Sequence, residues 1–129
     1  DERLCLITDN IHYVSHWITP LGEARRFDTR FFVARAPEGQ EPLHDDSETI
    51  ASLWVSPADA LQRQESGDLA MMPPTIRNLE FLLPHATTDD ALAAAKKIGT
   101  PTAIIPQLKV DPEGRVVGIS LPGDADYKN

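Results

Sequence analysis

The alternation of apolar and polar residues predicts several strands in the first half of the chain. Residues 4–7 and 13–18 are short apolar-rich runs separated by the turn-prone Thr8-Asp9-Asn10. Residues 26–35 give the strongest strand pattern because they are rich in Phe, Thr and Val. After a loop rich in Pro, Gly and acidic residues, residues 49–55 alternate moderately and predict a further strand.

Capping and stop signals predict three helices in the second half. Each predicted helix begins at a residue type that satisfies free backbone N–H groups and ends at Gly or before Pro. The start signals are Ser56 with Pro57 and Asp59, Thr75 after Pro73-Pro74, and Thr87 with Asp90; the stop signals are Gly67, Pro84 and Gly99. The chain therefore predicts helices after Ser56, after Pro74, and from about Asp89 to Ile98.

The last part of the chain carries a hairpin signal. Residues 107–110 and 115–120 flank Asp111-Pro112-Glu113-Gly114, whose residue types favour a tight turn. The predicted fold class is α+β. A length of 129 residues fits a single domain over residues 1–129.

Charge and composition limit the classes of partner that the chain is expected to bind. The formal net charge is −8, so the surface repels the phosphate backbone and no nucleic-acid partner is expected. No apolar run is long enough for a membrane span, and no membrane partner is expected. The lone cysteine, Cys5, cannot form an internal disulfide and fits a reducing, cytoplasmic setting; in its apolar run it is predicted to be a core residue.

Two groups of residues are candidates for metal binding. The run from His44 to Glu48 holds three carboxylates, the ligands that Mg²⁺ prefers, although a solvated acidic loop explains the same run. His12 and His16 are four residues apart, which on a strand separates them by about 13 Å. These two histidines therefore cannot share a zinc ion.

A polar face on the strongest strand is the candidate anion site. At period two, Arg26, Asp28 and Arg30 share one face of the strand. With Arg25, these arginines could bind phosphate or carboxylate through their guanidinium forks. Pairing with Asp28 and neighbouring acids explains the same residues, and the sequence leaves both readings open.

Several short motifs in order resemble the Nudix hydrolases. The resemblance covers residues 12–83 best and is to a bacterial branch similar to the enzymes that split coenzyme A esters. The motifs are His16-Trp17-Ile18-Thr19-Pro20, Arg26-Phe27-Asp28-Thr29-Arg30-Phe31-Phe32, Glu48 through Trp54-Val55-Ser56-Pro57, and Pro73-Pro74-Thr75. The resemblance implies an α/β/α sandwich with a mixed sheet. It also implies hydrolysis of a small-molecule diphosphate substrate with Mg²⁺ or Mn²⁺.

The resemblance also implies roles for five residues. Glu48 corresponds to an extra glutamate that some Nudix enzymes use as metal ligand or catalytic base. Arg26 and Arg30 would contact phosphate, Asp28 would orient them, and Trp17 would pack near the substrate. The Nudix box, with its Arg-Glu-x-x-Glu-Glu-x-Gly helix, is not among the 129 residues. The chain is therefore expected to be the C-terminal portion of a Nudix domain, incomplete as an isolated enzyme, whose catalytic helix lies upstream.

Two alternatives stay open. The chain could instead be a non-catalytic Nudix-like module that binds a nucleotide or a protein. Alternatively, a partner chain or self-association into a homo-oligomer could supply the missing elements. The three hypotheses differ in whether the 129 residues bind a ligand without turnover and in whether they associate.

Overall fold

The computed structural model describes residues 8–40 and 52–128. Its elements, in chain order, are β1 (Ile11–Ile18), β2 (Asp28–Ala34), α1 (Pro57–Glu65), α2 (Pro73–Leu82), α3 (Thr88–Ile98), β3 (Ala103–Ile104), β4 (Gln107–Val110) and β5 (Val116–Ser120). The mixture of strands and helices confirms the α+β class. Within the described ranges, no helix has the length and apolar character needed to cross a membrane.

The described residues divide into two compact units. Among the described residues, the first unit contains residues 8–11, 34–40 and 52–94. The second unit contains residues 12–33 and 95–128. The first unit holds α1 and α2, which contact each other. The second unit holds the paired strands.

A three-stranded sheet in the second unit has the order β2-β1-β3. β3 pairs with β1 in parallel, with His16 opposite Ala103 and Trp17 opposite Ile104. β1 and β2 are antiparallel. Thr19, just after the end of β1, donates from its N to Phe27 O just before β2, whereas Tyr13 near the beginning of β1 stacks on Phe32 further along β2. The sheet is therefore mixed. Val14 and Trp17 of β1 are buried in the core of this unit.

The connection between β1 and β2 is closed by hydrogen bonds at its base. Thr19 N donates to Phe27 O at 2.9 Å, and Phe27 N donates to Thr19 Oγ1 at 2.9 Å. Arg26 Nε adds a bond to Thr19 O at 3.0 Å. These bonds hold the beginning of β2 next to the end of β1, and they confirm the two strands predicted at residues 13–18 and 26–35, with bounds shifted by one or two residues.

The predicted C-terminal hairpin is confirmed as β4 and β5, which pair antiparallel. The Asp111 carboxylate closes the turn. Its Oδ1 accepts a hydrogen bond from Arg115 N at 2.7 Å, and its Oδ2 pairs with Arg115 Nε at 2.8 Å. The residues after β5 return to the hairpin. Lys109 Nζ lies 2.7 Å from Asp126 Oδ2, and the buried Ser120 donates from Oγ to Asp126 Oδ1 at 2.8 Å.

This return contact changes the ionisation of its two charged members. The pKa of Asp126 lies below its ordinary value of 3.8, chiefly because Lys109 donates a hydrogen bond to it and then because Ser120 does. The pKa of Lys109 lies above its ordinary value of 10.5, chiefly because of the hydrogen bond to Asp126. Both shifts favour the charged forms that make the ion pair.

All three predicted helices are present. Ser56 caps α1, with Oγ accepting from Asp59 N at 3.1 Å, and Gly67 follows the helix at a φ of 83° that suits glycine. Thr87 caps α3, since its Oγ1 accepts from Asp90 N at 3.1 Å and donates to the Asp90 carboxylate at 2.7 Å. This reciprocal pair is a capping box of the predicted kind.

Two local predictions are wrong. α2 begins at Pro73, so Thr75 lies in its first turn, and the residue at the cap is Met72, which makes no side-chain capping bond. Two successive prolines can occupy the first turn because its N–H groups have no helical partner. The second error concerns residues 52–55, which are not in a strand. Leu53 and Trp54 are both exposed there, so the apolar residues of the predicted strand do not form a buried face. The strand predicted at residues 4–7 lies outside the described residues.

Candidate functional site

Three polar side chains meet on the β1–β2 hairpin, and we call them the His16–Asp28–Arg30 cluster. His16 Nε2 lies 2.6 Å from Asp28 Oδ1. Arg30 Nη1 donates to the same oxygen at 3.0 Å. One carboxylate oxygen therefore holds a ring from β1 and a guanidinium from β2.

The strand geometry explains why these three residues meet. Asp28 and Arg30 are two positions apart on β2, so their side chains leave the same face of the strand. The hairpin then places His16 of β1 opposite the beginning of β2. The His16 side chain is only 14% exposed, whereas Asp28 and Arg30 are 52% and 53% exposed. The cluster thus has a sheltered histidine and a solvent-facing arginine.

The cluster is suited to anion binding. A guanidinium carries five N–H donors, and the bond to Asp28 from Nη1 occupies one of them. The remaining donors can meet a phosphate or carboxylate in a fork. An exposed ion pair of this kind adds at most about 1 kcal/mol to stability, so its main physical effect is to fix where the guanidinium points.

Arg26 is held separately from the cluster. Its Nε donates to Thr19 O at 3.0 Å, at the base of the hairpin. Of the three polar residues that were predicted to share a face, the structure therefore joins Asp28 with Arg30 and ties Arg26 to the backbone. The two terminal nitrogens of Arg26 are the groups that could contact an anion.

Trp17 is a core residue in this unit. Its side chain is 4% exposed, and its Nε1 is buried without a hydrogen-bond partner among residues 8–40 and 52–128. Successive strand residues point to opposite faces, so Trp17 and its neighbour His16 leave β1 on different sides. The structure does not bring Trp17 together with the cluster.

Glu48, the candidate catalytic base and metal ligand, lies outside the described residues. Within those residues, no group of three or more His, Cys, Asp or Glu side chains is arranged to hold a metal ion. The described residues therefore do not fit Mg²⁺ or Mn²⁺ by themselves. His12 and His16 both lie on β1, as the strand prediction requires.

The residue that the sequence prediction missed is His16. The sequence shows His16 as one of two histidines on a strand and as the first residue of a motif, and neither observation predicts a role for it. Its partner, Asp28, is twelve residues away, and only the register of the hairpin brings the two together. The Thr19–Phe27 bonds set that register, with His16 opposite Arg30 and diagonal to Asp28, and no local sequence signal specifies it.

The chain is similar in sequence to two proteins named acyl-coenzyme A diphosphatases. The chain is 33% identical to the acyl-coenzyme A diphosphatase NUDT19 of Gallus gallus over 84 residues, which are 59% of this chain and 21% of that protein. It is 32% identical to the Homo sapiens protein of the same name over 96 residues, which are 68% of this chain and 26% of that protein.

These similarities support the Nudix resemblance at the level of the family. The chain spans 21% and 26% of the lengths of the two curated relatives. No protein-family profile matches the chain. No solved structure matches it either.

Proposed function

We propose that the chain is part of a Nudix-type hydrolase that cleaves the diphosphate of a coenzyme A ester. The observation that carries the proposal is the identity of 32–33% to two proteins named acyl-coenzyme A diphosphatases. The hairpin adds a physical reason, because it presents arginines to solvent on a polar face. A protein with a net charge of −8 needs such local positive groups to bind an anionic diphosphate.

In this proposal the arginines bind the diphosphate. Arg30 meets the phosphate oxygens with the donors that Asp28 does not use, and Asp28 fixes the direction of its guanidinium. Arg26, anchored through Nε on Thr19 O, offers its terminal nitrogens to the same substrate. Trp17 supports the hairpin from the core.

The proposal includes Mg²⁺ or Mn²⁺ as cofactor and Glu48 as metal ligand or base, both by resemblance. A divalent ion would neutralise charge on the phosphoryl oxygens when bound. Because the described residues form no ligand group, Glu48 and other parts of the native protein would have to hold the ion. The alternative is a module that binds the diphosphate compound without cleaving it.

The test is hydrolysis of an acyl-coenzyme A by the native protein that contains these residues. With Mg²⁺ or Mn²⁺ present, we expect adenosine 3′,5′-bisphosphate and the acylated phosphopantetheine, resolved by mass spectrometry. Release of the acyl group from intact coenzyme A would contradict diphosphate cleavage. Saturable binding without products would favour the non-catalytic module.

Glu48→Gln tests the assigned base or ligand in the same assay. Removing one carboxylate from a metal or base position is expected to lower kcat about a hundredfold or more. Glu38→Gln is the matched control, since Glu38 is an exposed acid in the same acidic segment. Equal kcat values for the two variants would remove Glu48 from the mechanism.

A further inference from the structure

In the His16–Asp28–Arg30 cluster, Asp28 Oδ1 links the charge of His16 to the pairing of Arg30. Asp28 Oδ1 accepts from Arg30 Nη1 at 3.0 Å and lies 2.6 Å from His16 Nε2. Both donors compete for one oxygen. A change in the charge of His16 therefore changes how much of the Asp28 charge remains to pair with Arg30.

The net charge of the cluster follows from these pairs. With neutral His16, the Asp28 carboxylate cancels the Arg30 guanidinium and the cluster carries no net charge. With protonated His16, the two cations share one carboxylate and the cluster carries a net charge of one positive unit. Histidine is the side chain type suited to change charge within the physiological pH range, so pH can select between these two states.

We infer that His16 is a positioning residue that sets, through Asp28, the affinity of Arg30 for an anionic phosphate group, with tighter binding when His16 is protonated. The inference rests on the proposed role of Arg30 in binding the diphosphate. It goes further in assigning a pH-dependent regulation to that site and in giving His16 a role.

The other groups that face His16 bring no charge into contact with it, so the effect depends on Asp28. The ring of Tyr13, an aromatic neighbour on the same strand, lies 6.4 Å from the His16 ring. On the other side, β3 places the uncharged Ala103 opposite His16. Asp28 is the charged group in contact with His16 among the described residues, and Arg30 is reached through it.

Sulfate binding to the native protein tests the inference without turnover. Sulfate stays a dianion across the pH range in which histidine changes charge, so a pH effect on its affinity reports the protein. Divalent metal is left out to exclude bridging. We expect affinity, measured by calorimetry, to rise about three- to tenfold from pH 8 to pH 5.5, as one added positive charge beside a dianion at a wet surface requires.

Variants assign the effect to the cluster. Arg30→Gln is expected to remove the pH-dependent binding, and His16→Gln to keep binding but abolish its pH dependence, since glutamine donates a hydrogen bond without charge. His12→Gln, a histidine of the same strand, should behave like the wild type. A wild-type affinity that is absent or independent of pH would overturn the inference, as would pH dependence retained in His16→Gln.

A measurement on the wild type covers the case in which a variant does not fold. By reciprocity, an anion that binds better to protonated His16 must favour its protonation. The midpoint of the His16 ring titration, followed by nitrogen NMR, should therefore move to higher pH when sulfate is added. An unchanged midpoint contradicts the inference. Loss of acyl-coenzyme A hydrolysis with an intact sulfate effect would instead contradict the proposed function alone.

Discussion

At the scale of single residues, Arg30 shows how local geometry limits chemistry. Asp28 binds one end of the Arg30 guanidinium. The rest of the guanidinium contacts solvent. A lysine at this place would keep the positive charge but would lose the planar fork that matches two phosphate oxygens. Charge and direction can therefore be separated experimentally.

Arg30→Lys is expected to raise the KM for acyl-coenzyme A about fivefold to tenfold in the native protein, because the loss of a bidentate contact is close to 1 kcal/mol or more. Steady-state kinetics is the measurement. Arg115→Lys is the control, since Arg115 is an ion-paired surface arginine on the β4–β5 hairpin. If both variants raise KM alike, Arg30 has no special contact with the substrate.

At the scale of elements, α2 differs from its two neighbours in its cap. α1 and α3 begin with hydroxyl caps at Ser56 and Thr87, whereas α2 begins after Met72, whose side chain makes no capping bond and is 72% exposed. The backbone oxygen of Met72 accepts from Thr75 N at 2.9 Å and from Ile76 N at 3.2 Å, but its side chain offers the first turn no acceptor.

Met72→Ser is expected to stabilise the protein by at most about 0.5 kcal/mol, because Pro73 and Pro74 carry no N–H and serine can only share the Thr75 N–H that Met72 O already accepts. Urea unfolding gives the free energy. Met72→Ala removes the same exposed side chain without adding an acceptor, and it should leave the free energy of unfolding nearly unchanged. Equal stabilisation by alanine would show that capping is not the cause.

The ion pair that returns the C-terminal residues to β4 gives a prediction about pH. The pKa of Asp126 is lowered, so its stabilisation is present above the unfolded value near 3.8 and is lost as pH falls through the folded pKa. The pKa of Lys109 is raised, so its stabilisation is present below 10.5 and is lost as pH rises through the folded pKa.

Asp126→Asn is accordingly expected to lower the Tm at neutral pH and to have a smaller effect at pH values below the folded pKa of Asp126. Lys109→Gln should lower it similarly, and the double variant should lose less than the sum of the two, since the residues share one interaction. Calorimetry across pH measures all three. Additive losses would mean that the two side chains act independently.

The elements also show what could be predicted from the sequence. Local chemistry predicted the helices at Ser56 and Thr87 and the turn at Asp111, because each signal lies within a few residues of the element it specifies. It failed at Met72, because α2 begins at Pro73 without a hydroxyl cap and the expected cap residue, Thr75, lies inside the first turn. The contact of His16 with Asp28 needed the register of two strands, and no local signal specifies that register.

At the scale of the whole molecule, β2 lies at one edge of the described three-stranded sheet, and Phe27 just before it is 64% exposed. A sheet edge with apolar side chains favours pairing with another chain. This arrangement is the physical basis for the expectation that another segment or a second copy covers the sheet.

The isolated 129-residue chain is therefore expected to associate as its concentration rises, and Phe27→Lys should weaken that association. Sedimentation velocity measures it. Leu21→Lys is the control, because Leu21 is 74% exposed in the same connection but does not adjoin β2 as Phe27 does. A monomer at all concentrations would argue against an unprotected edge, and equal effects of both variants would indicate general hydrophobic attraction.

The parallel pairing of β1 with β3 has a consequence for the order of folding. The β1–β2 and β4–β5 hairpins join residues that are close in the chain, so they can close early, even during synthesis. β3 must instead find β1 after three helices have been made, and His16 then meets Ala103 across most of the chain. The entropy of closing that large loop makes the third strand a late step in folding. The hairpin that carries His16, Asp28 and Arg30 can therefore assemble before the sheet around it is complete.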